Sequence, residues 1–332
     1  MSVCHQIEID APRLDRFLTE IHPEIPRSRW EGWIRGGHVL VNGQPATKPG
    51  TRLRVGATVE TEIPELVPPG LHLEPENLEL PTLYEDDRLW ILDKPAGVVA
   101  HPGPGHPSGT VVNALLWRLR EQAKVLEVTV EEEGEAPDEE LAAPVWPGLV
   151  HRLDRFTTGC LLTTKDAEAQ LAMQAQFKAR TVDKRYLAVV RMSRKLPEIG
   201  SMLVDQPLAR HRIERTKMTI TASGRPSQTR VKVLAKSAGL ALVECELLTG
   251  RTHQIRVHLS FLGAPILGDP LYGGMTRWQD EAKQPILCAH PLLHAWKLSV
   301  DHPATGERIH VTAPLPEAFR ALLERLEIPL PV

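Results

Sequence analysis

The 332-residue chain has only four cysteines, Cys4, Cys160, Cys245 and Cys288, far apart and with no C-x-x-C pair among them. That spacing excludes a disulfide framework and carries no zinc signature. The last three read as reduced core thiols; Cys4 is left unassigned. No stretch approaches the roughly 20 apolar residues of a membrane span. The N-terminal MSVCHQIEIDAPRLD has neither the basic start nor the apolar run of a signal peptide, so a cytoplasmic location without a membrane partner is expected. There is no internal repeat. Histidine is more plentiful, but His290 and His294 have Pro291 between them and no H-E-x-x-H accompanies them. No metal is expected.

Length suits one large domain plus a small one, and a hydrophobic fraction of 42% is that of an ordinary globular chain. The formal net charge of -3 hides a local imbalance. Residues 124–147 hold eight acids (Glu127, Glu131, Glu132, Glu133, Glu135, Asp138, Glu139, Glu140) against Lys124 alone, which leaves the remainder at +4. With Pro137, Pro144 and Pro147 and no sustained period, this stretch reads as a solvated surface insertion, either an inert loop or a partner-binding one.

Residues 1–65 read as a separate small α+β module. After the apolar pattern Leu14, Phe17, Leu18, the spacing of Ser28 and Glu31 is that of a capping box and predicts a helix to about Arg35, stopped by Gly36 and Gly37. Asn42-Gly43 then predicts a hairpin between 39–41 and a strand reaching about Ala46. From Arg27 to Arg54 the bases Arg27, Arg29, Arg35, Lys48, Arg52 and Arg54 face only Glu31, a net +5 suited to phosphate contact. A merely solvated basic face is the alternative. The proline-rich 66–80 reads as a linker.

Residues 81–332 read as α+β, with a mixed or antiparallel sheet, because strands run together without regular alternation with helices. Strands are expected near 83–84, 89–92, 185–191, 217–221, 229–235 and 240–247, with a hairpin of 295–300 and 308–312. Thr110 and Asp166 cap predicted helices, the second running to about Lys178. Ile255, Leu259 and Leu262 have helical spacing ending at Gly263, and 316–326 closes the chain as a helix.

The chain is organised around residues 148–159, GLVHRLDRFTTG. A carboxylate among apolar residues is costly to ionise unless a cation or several donors hold it. Arg152 and Asp154 share a face only if the stretch is extended or looped. Taken alone, such an Arg-x-Asp is more readily a strand-end ion pair than a site of chemistry.

The string His151, Arg152, Leu153, Asp154, Thr157, Thr158, Gly159 resembles the H-R-L-D-x-x-T-[ST]-G signature of the RluA/RluD-type RNA pseudouridine synthases. Three more stretches resemble that family in the same order: 93–116 (DKPAGVVAHPGPGHPSGTVVNALL), 184–190 (KRYLAVV) and 249–259 (TGRTHQIRVHL). The first module, through RLDRFL at 13–18 and RSRWEGWIRGGHVLVNG at 27–43, resembles the small RNA-binding domain of a ribosomal small-subunit protein and of many RNA-modifying enzymes.

The resemblance implies an isomerase that detaches uracil from ribose, turns it and rejoins it through a ring carbon. No net oxidation occurs, so no cofactor is expected. Asp154 is then the carboxylate that meets the sugar, as in glycosidases; covalent attack and proton abstraction to a glycal both fit the sequence. The family assigns Arg256 as its ion-pair partner and Tyr186 as the ring against the target uracil with its hydroxyl as proton relay. The target uridine must leave its stack, and Arg152 fills the space. His151 orients the loop; with Thr157, Arg27, Arg29, Arg35 and Lys48 it completes the expected RNA contacts. A monomer acting on large-subunit ribosomal RNA or a pre-ribosomal particle is the primary expectation. Transfer RNA, a non-catalytic ribosome-assembly factor and a small-molecule glycosidase are the alternatives; the last would normally use two carboxylates and leaves the basic module unexplained.

Overall fold

A computed structural model describes residues 2–7, 10, 13–22, 27–62, 74–103, 105–119, 148–198 and 200–330. The acidic stretch 124–147, the first part of the 66–80 linker and the side chains of Cys4 and Arg29 lie outside the described residues. The described chain falls into two compact units.

The smaller unit comprises β1 (Ser2–Gln6), α1 (Leu14–Ile21), α2 (Arg27–Arg35), β2 (Val39–Val41), β3 (Gln44–Pro45) and β4 (Thr58–Glu62), with sheet order β1-β4-β2-β3. Leu14 and Leu18 of α1 and Trp30 and Ile34 of α2 share the i, i+4 spacing of one helix face. They close over Val39, Leu53 and Val59 in a core that excludes solvent. The hairpin turn is the expected one: Asn42 and Gly43 both take positive φ, 53° and 74°, as a two-residue turn between twisted strands requires. Helix α2 starts at Arg27, so Ser28 lies inside its first turn instead of capping it. Arg27 Nε donates to Asp15 Oδ2 on α1 at 2.8 Å, and this tertiary bond anchors the helix one residue ahead of the local cap signal.

The larger unit contains β5 (Thr82–Glu85), β6 (Leu89–Lys94), α3 (Val111–Arg118), β7 (Thr158–Thr164), α4 (Ala167–Ala179), β8 (Asp183–Arg191) and β9 (Ser201–Asp205). A small hairpin β10 (Leu208–Arg210) and β11 (Met218–Ile220) follows, then β12 (Gln228–Ser237), β13 (Leu240–Leu247) and α5 (Gln254–Phe261). A second small hairpin, β14 (Arg277–Gln279) and β15 (Pro285–Leu287), precedes β16 (Leu293–Asp301), β17 (Arg308–Thr312) and α6 (Glu317–Arg325). Nine strands form one sheet of order β5-β6-β7-β16-β8-β13-β12-β9, with β17 beside β16. Every pairing is antiparallel except β7 with β16, so the sheet is mixed, as the runs of strands predicted.

Period-two alternation sorts the strand residues into two layers. Tyr186, Ala188 and Val190 of β8 and Ala241, Val243 and Cys245 of β13 face α3 and α5. Leu187, Val189, Leu240 and Leu242 face α6, and Cys160 and Leu162 of β7 pack with Met173 of α4. The predicted caps are present: Thr110 and Asn113 bond reciprocally at the start of α3, and Asp166 Oδ1 accepts from Ala169 N at 2.9 Å at the start of α4.

The parallel seam explains the last glycine of the 148–159 string. Gly159 pairs with Ala295 at φ 103°, and a Cβ there would lie 2.2 Å from the Ala295 carbonyl oxygen. Only glycine lets β7 and β16 approach so closely.

Candidate active site

Asp154 sits on the irregular stretch between Gly148 and the start of β7. Leu153 is sunk in the core beside it, and Thr157 N donates to the Asp154 carbonyl at 3.0 Å, closing a tight turn. The turn is held from beneath by Lys94, at the end of β6, whose Nζ donates to the carbonyls of Pro95, Val98 and Arg155 at 2.9, 2.8 and 3.0 Å. Lys94 is fully buried. Burial pushes its pKa down to about 7, against the pull of Asp154 and Asp93. Gly97 N donates to the same Arg155 carbonyl, and Arg155 Nε donates back to Gly97, so the 95–98 and 154–156 segments are clasped together.

The counter-ion comes from α5. Arg256 forks onto Asp269 through Nε and Nη2, at 2.7 and 2.9 Å, and reaches Asp154 Oδ2 through Nη1 at 3.0 Å. Its guanidinium carbon lies 4.9 Å from the centroid of the Tyr272 ring. Burial opposes the charge, yet the bonds to Asp269 and Asp154 outweigh it and raise the arginine's pKa. The two-pronged bond to Asp269 leaves one N–H edge for Asp154 and fixes its direction. Asp269 is 1% exposed at its side chain and Asp154 28%: one carboxylate anchors, and the other opens to solvent.

Tyr186, on β8, is 8% exposed. Burial first, and then the nearby charge of Asp154, raise its pKa, which keeps the hydroxyl protonated. Arg152 is exposed, with Nη2 donating to Thr252 Oγ1 at 2.7 Å just ahead of α5. His253 Nε2 lies 3.8 Å from Asp154 Oδ2, and its Nδ1 lies 2.7 Å from the Tyr272 hydroxyl.

The structure therefore gathers Asp154, Arg256 and Tyr186 and places Arg152 at the rim. His151 is turned elsewhere: Nε2 accepts from Leu162 N at 2.9 Å and the ring stacks on Phe177 of α4. This is a loop-orienting position, and it leaves that edge of the ring nothing to offer RNA. Thr157 is buried at 4% exposure, its N–H spent on the Asp154 turn. Arg27 is engaged by Asp15, whereas Arg35 and Lys48 are exposed on the small unit, Arg35 3.6 Å from Glu31. Sequence reasoning missed Lys94, His253, Asp269 and Tyr272. Lys94 and His253 stand inside motif stretches; nothing in the sequence around Asp269 marks it as a partner. No group of three His, Cys, Asp or Glu side chains that could hold a metal occurs among the described residues.

The site thus joins a part-exposed carboxylate just ahead of β7 to a buried arginine, with a buried tyrosine near it. The profile of the RNA pseudouridylate synthase family matches residues 88–261, and that of the S4 domain matches residues 12–59. The chain belongs to the RNA pseudouridylate synthase family and is an RNA pseudouridine synthase with an N-terminal S4 domain. Among its relatives, the ribosomal large subunit pseudouridine synthase D of Xanthomonas campestris pv. campestris is 38% identical over 95% of this chain and 88% of that one. The Pseudomonas aeruginosa protein of the same name is 36% identical over 96% and 93%. The structure of human RNA pseudouridylate synthase domain containing 4 is similar at TM-score 0.54 and 27% identity, over 76% of this chain and 95% of that one.

Proposed function

We propose that this synthase isomerises uridines of large-subunit ribosomal RNA in the cytoplasm as a monomer, with Asp154 as the acting carboxylate. Relatives of 36% and 38% identity named for the ribosomal large subunit support the substrate. The observation that carries the site assignment is the half-held state of Asp154: Arg256 grips Oδ2, and no described residue donates to Oδ1. That oxygen is open to the sugar carbon or to a ribose proton. Arg256 pairs with the carboxylate and aims it. Tyr186, protonated and nearly buried, is the floor for an extruded uracil and the hydroxyl for proton transfer. Arg152 exchanges its bond to Thr252 for the gap left in the RNA stack, since a flipped nucleotide leaves an unstacked neighbour. Arg29, Arg35 and Lys48 supply phosphate contacts from the S4 domain, where each neutralised phosphate releases counterions. We place the domain limits at 1–65 and 81–332 with a linker at 66–80.

Carbodiimide-based pseudouridine mapping of total RNA, with and without the gene, tests the substrate. Sites confined to large-subunit RNA should vanish on deletion; an unchanged ribosomal map with lost transfer-RNA sites would overturn the reading.

A further inference from the structure

His253 adopts the left-handed conformation, φ 55° and ψ 18°, at the N-cap of α5, yet its side chain makes no capping bond. A non-glycine residue held there is strained unless its surroundings fix it. Here they fix the ring. The Tyr272 hydroxyl accepts from Met218 N of β11 at 2.8 Å, and burial pushes its pKa up to about 12, so it keeps its proton. That proton has one acceptor among its recorded partners, His253 Nδ1 at 2.7 Å. With Nδ1 accepting, a neutral imidazole carries its hydrogen on Nε2. Nε2 is the atom directed at Asp154 Oδ2, 3.8 Å away.

The imidazole is faced by Asp154 and Arg152 from the catalytic loop, by Arg256 of its own helix, and by Asp269 and Tyr272 from the turn after α5. Burial leads among the influences and lowers its pKa, so it meets Asp154 as a neutral donor. At 3.8 Å the contact is longer than a hydrogen bond; such contacts tighten when substrate arrives.

We propose that His253, fixed as its Nε2–H tautomer by the Tyr272 hydroxyl, is a positioning residue that closes onto Asp154 Oδ2 during turnover and leaves Oδ1 as the oxygen that meets the sugar. Arg256 and His253 then hold one oxygen from two sides, so the carboxylate cannot rotate when the base departs. This rests on Asp154 being the acting carboxylate, which Asp154→Asn tests separately.

Two measurements test it on the full-length protein. Long-range proton–nitrogen NMR of the histidine-labelled enzyme, with the His253 signals assigned by their loss in His253→Gln, should show a protonated Nε2 and a bare Nδ1. Tyr272→Phe should mix the tautomers. In single-turnover and steady-state assays on a tritiated large-subunit RNA fragment, His253→Ala should lower kcat by about 10- to 100-fold with KM nearly constant. His253→Gln, whose amide N–H reaches the same place, should recover most of that loss; circular dichroism verifies folding. A wild-type Nδ1–H tautomer, an undiminished kcat in His253→Ala, equal losses in the Ala and Gln variants, or a loss confined to KM overturns the proposal. A wild-type enzyme inactive on that RNA would count against the substrate reading alone, and the NMR result would still decide the tautomer.

Discussion

Each unit of the molecule holds an aspartate against arginine, and the two pairs differ in what is left over. In the small unit Asp15 is completely buried, with Oδ1 taken by Arg13 Nε and Oδ2 by Arg13 Nη2 and Arg27 Nε, at 2.8–2.9 Å. Burial alone would raise this carboxyl; the hydrogen bonds from Arg13 and Arg27 outweigh it and hold the pKa near about 2. Nothing is open to a ligand. In the large unit the fully enclosed role falls to Asp269, and Arg256 carries the remaining donor out to Asp154, which keeps one oxygen unoccupied. Identical chemistry thus makes a rivet in one place and leaves an open oxygen in the other, according to how many lone pairs the arginines fill.

The strongest way to sharpen that contrast is Asp154→Asn. It should lower turnover in a tritium-release assay by about 10³-fold or more, with a melting temperature close to wild type, because the side chain is partly exposed and not a packing element. Asp15→Asn should act in the opposite sense, on structure. Breaking a buried pair costs up to about 3–5 kcal/mol; because the arginines are half-exposed, 44% and 47%, screening reduces this to roughly 2–3 kcal/mol. Hydrogen exchange should quicken across α1 and α2 and not across the large sheet; a uniform change would show that the units do not unfold separately.

Acid gives the smallest effect. Burial lowers His294 to about 4 and His151 to about 3, from 6.5. Between the unfolded and folded values the unfolded chain binds more protons, so the large unit should lose stability, by roughly 2 kcal/mol, as pH falls from about 6.5 to 5.5. Asp15 has a depressed pKa, and its contribution persists until the pH falls below about 3.8. The small unit has only the part-buried His5 shifted the same way. Protection factors at the two pH values should therefore drop in β7 and β16 and hold in α1 and α2.

The sequence showed the fold where the signals were local. The Thr110 and Asp166 caps, the Asn42-Gly43 hairpin, and Gly263 closing α5 at φ 68° all lie within a few residues of what they control. It failed where partners come from far along the chain. The Arg27–Arg54 window counted Glu31 as the only acid, while Asp15, outside the window, takes Arg27. The expected strand at 295–300 begins at Leu293 and splits its pairing among β7, β8 and β17, which no turn signal announces. Motif resemblance brought Asp154, Arg256 and Tyr186 forward as candidates, but resemblance carries no geometry. Asp269 and Tyr272, which hold Arg256 and His253 in place, emerge only from packing. The histidine of the signature faces inward for a similar reason: a backbone N–H of β7 needed an acceptor, and His151 Nε2 was the one in reach.

The seam between β7 and β16 also dictates when this protein can become complete. Thr158 Oγ1 and His294 Nδ1 lie 2.8 Å apart across 136 positions of chain, and contacts of such separation form late because loop closure must come first. A nascent polypeptide that has cleared the exit tunnel through β13 already carries the aspartate and its loop, but lacks the strand against which that loop is set. Competence arrives only once β16 has emerged as well.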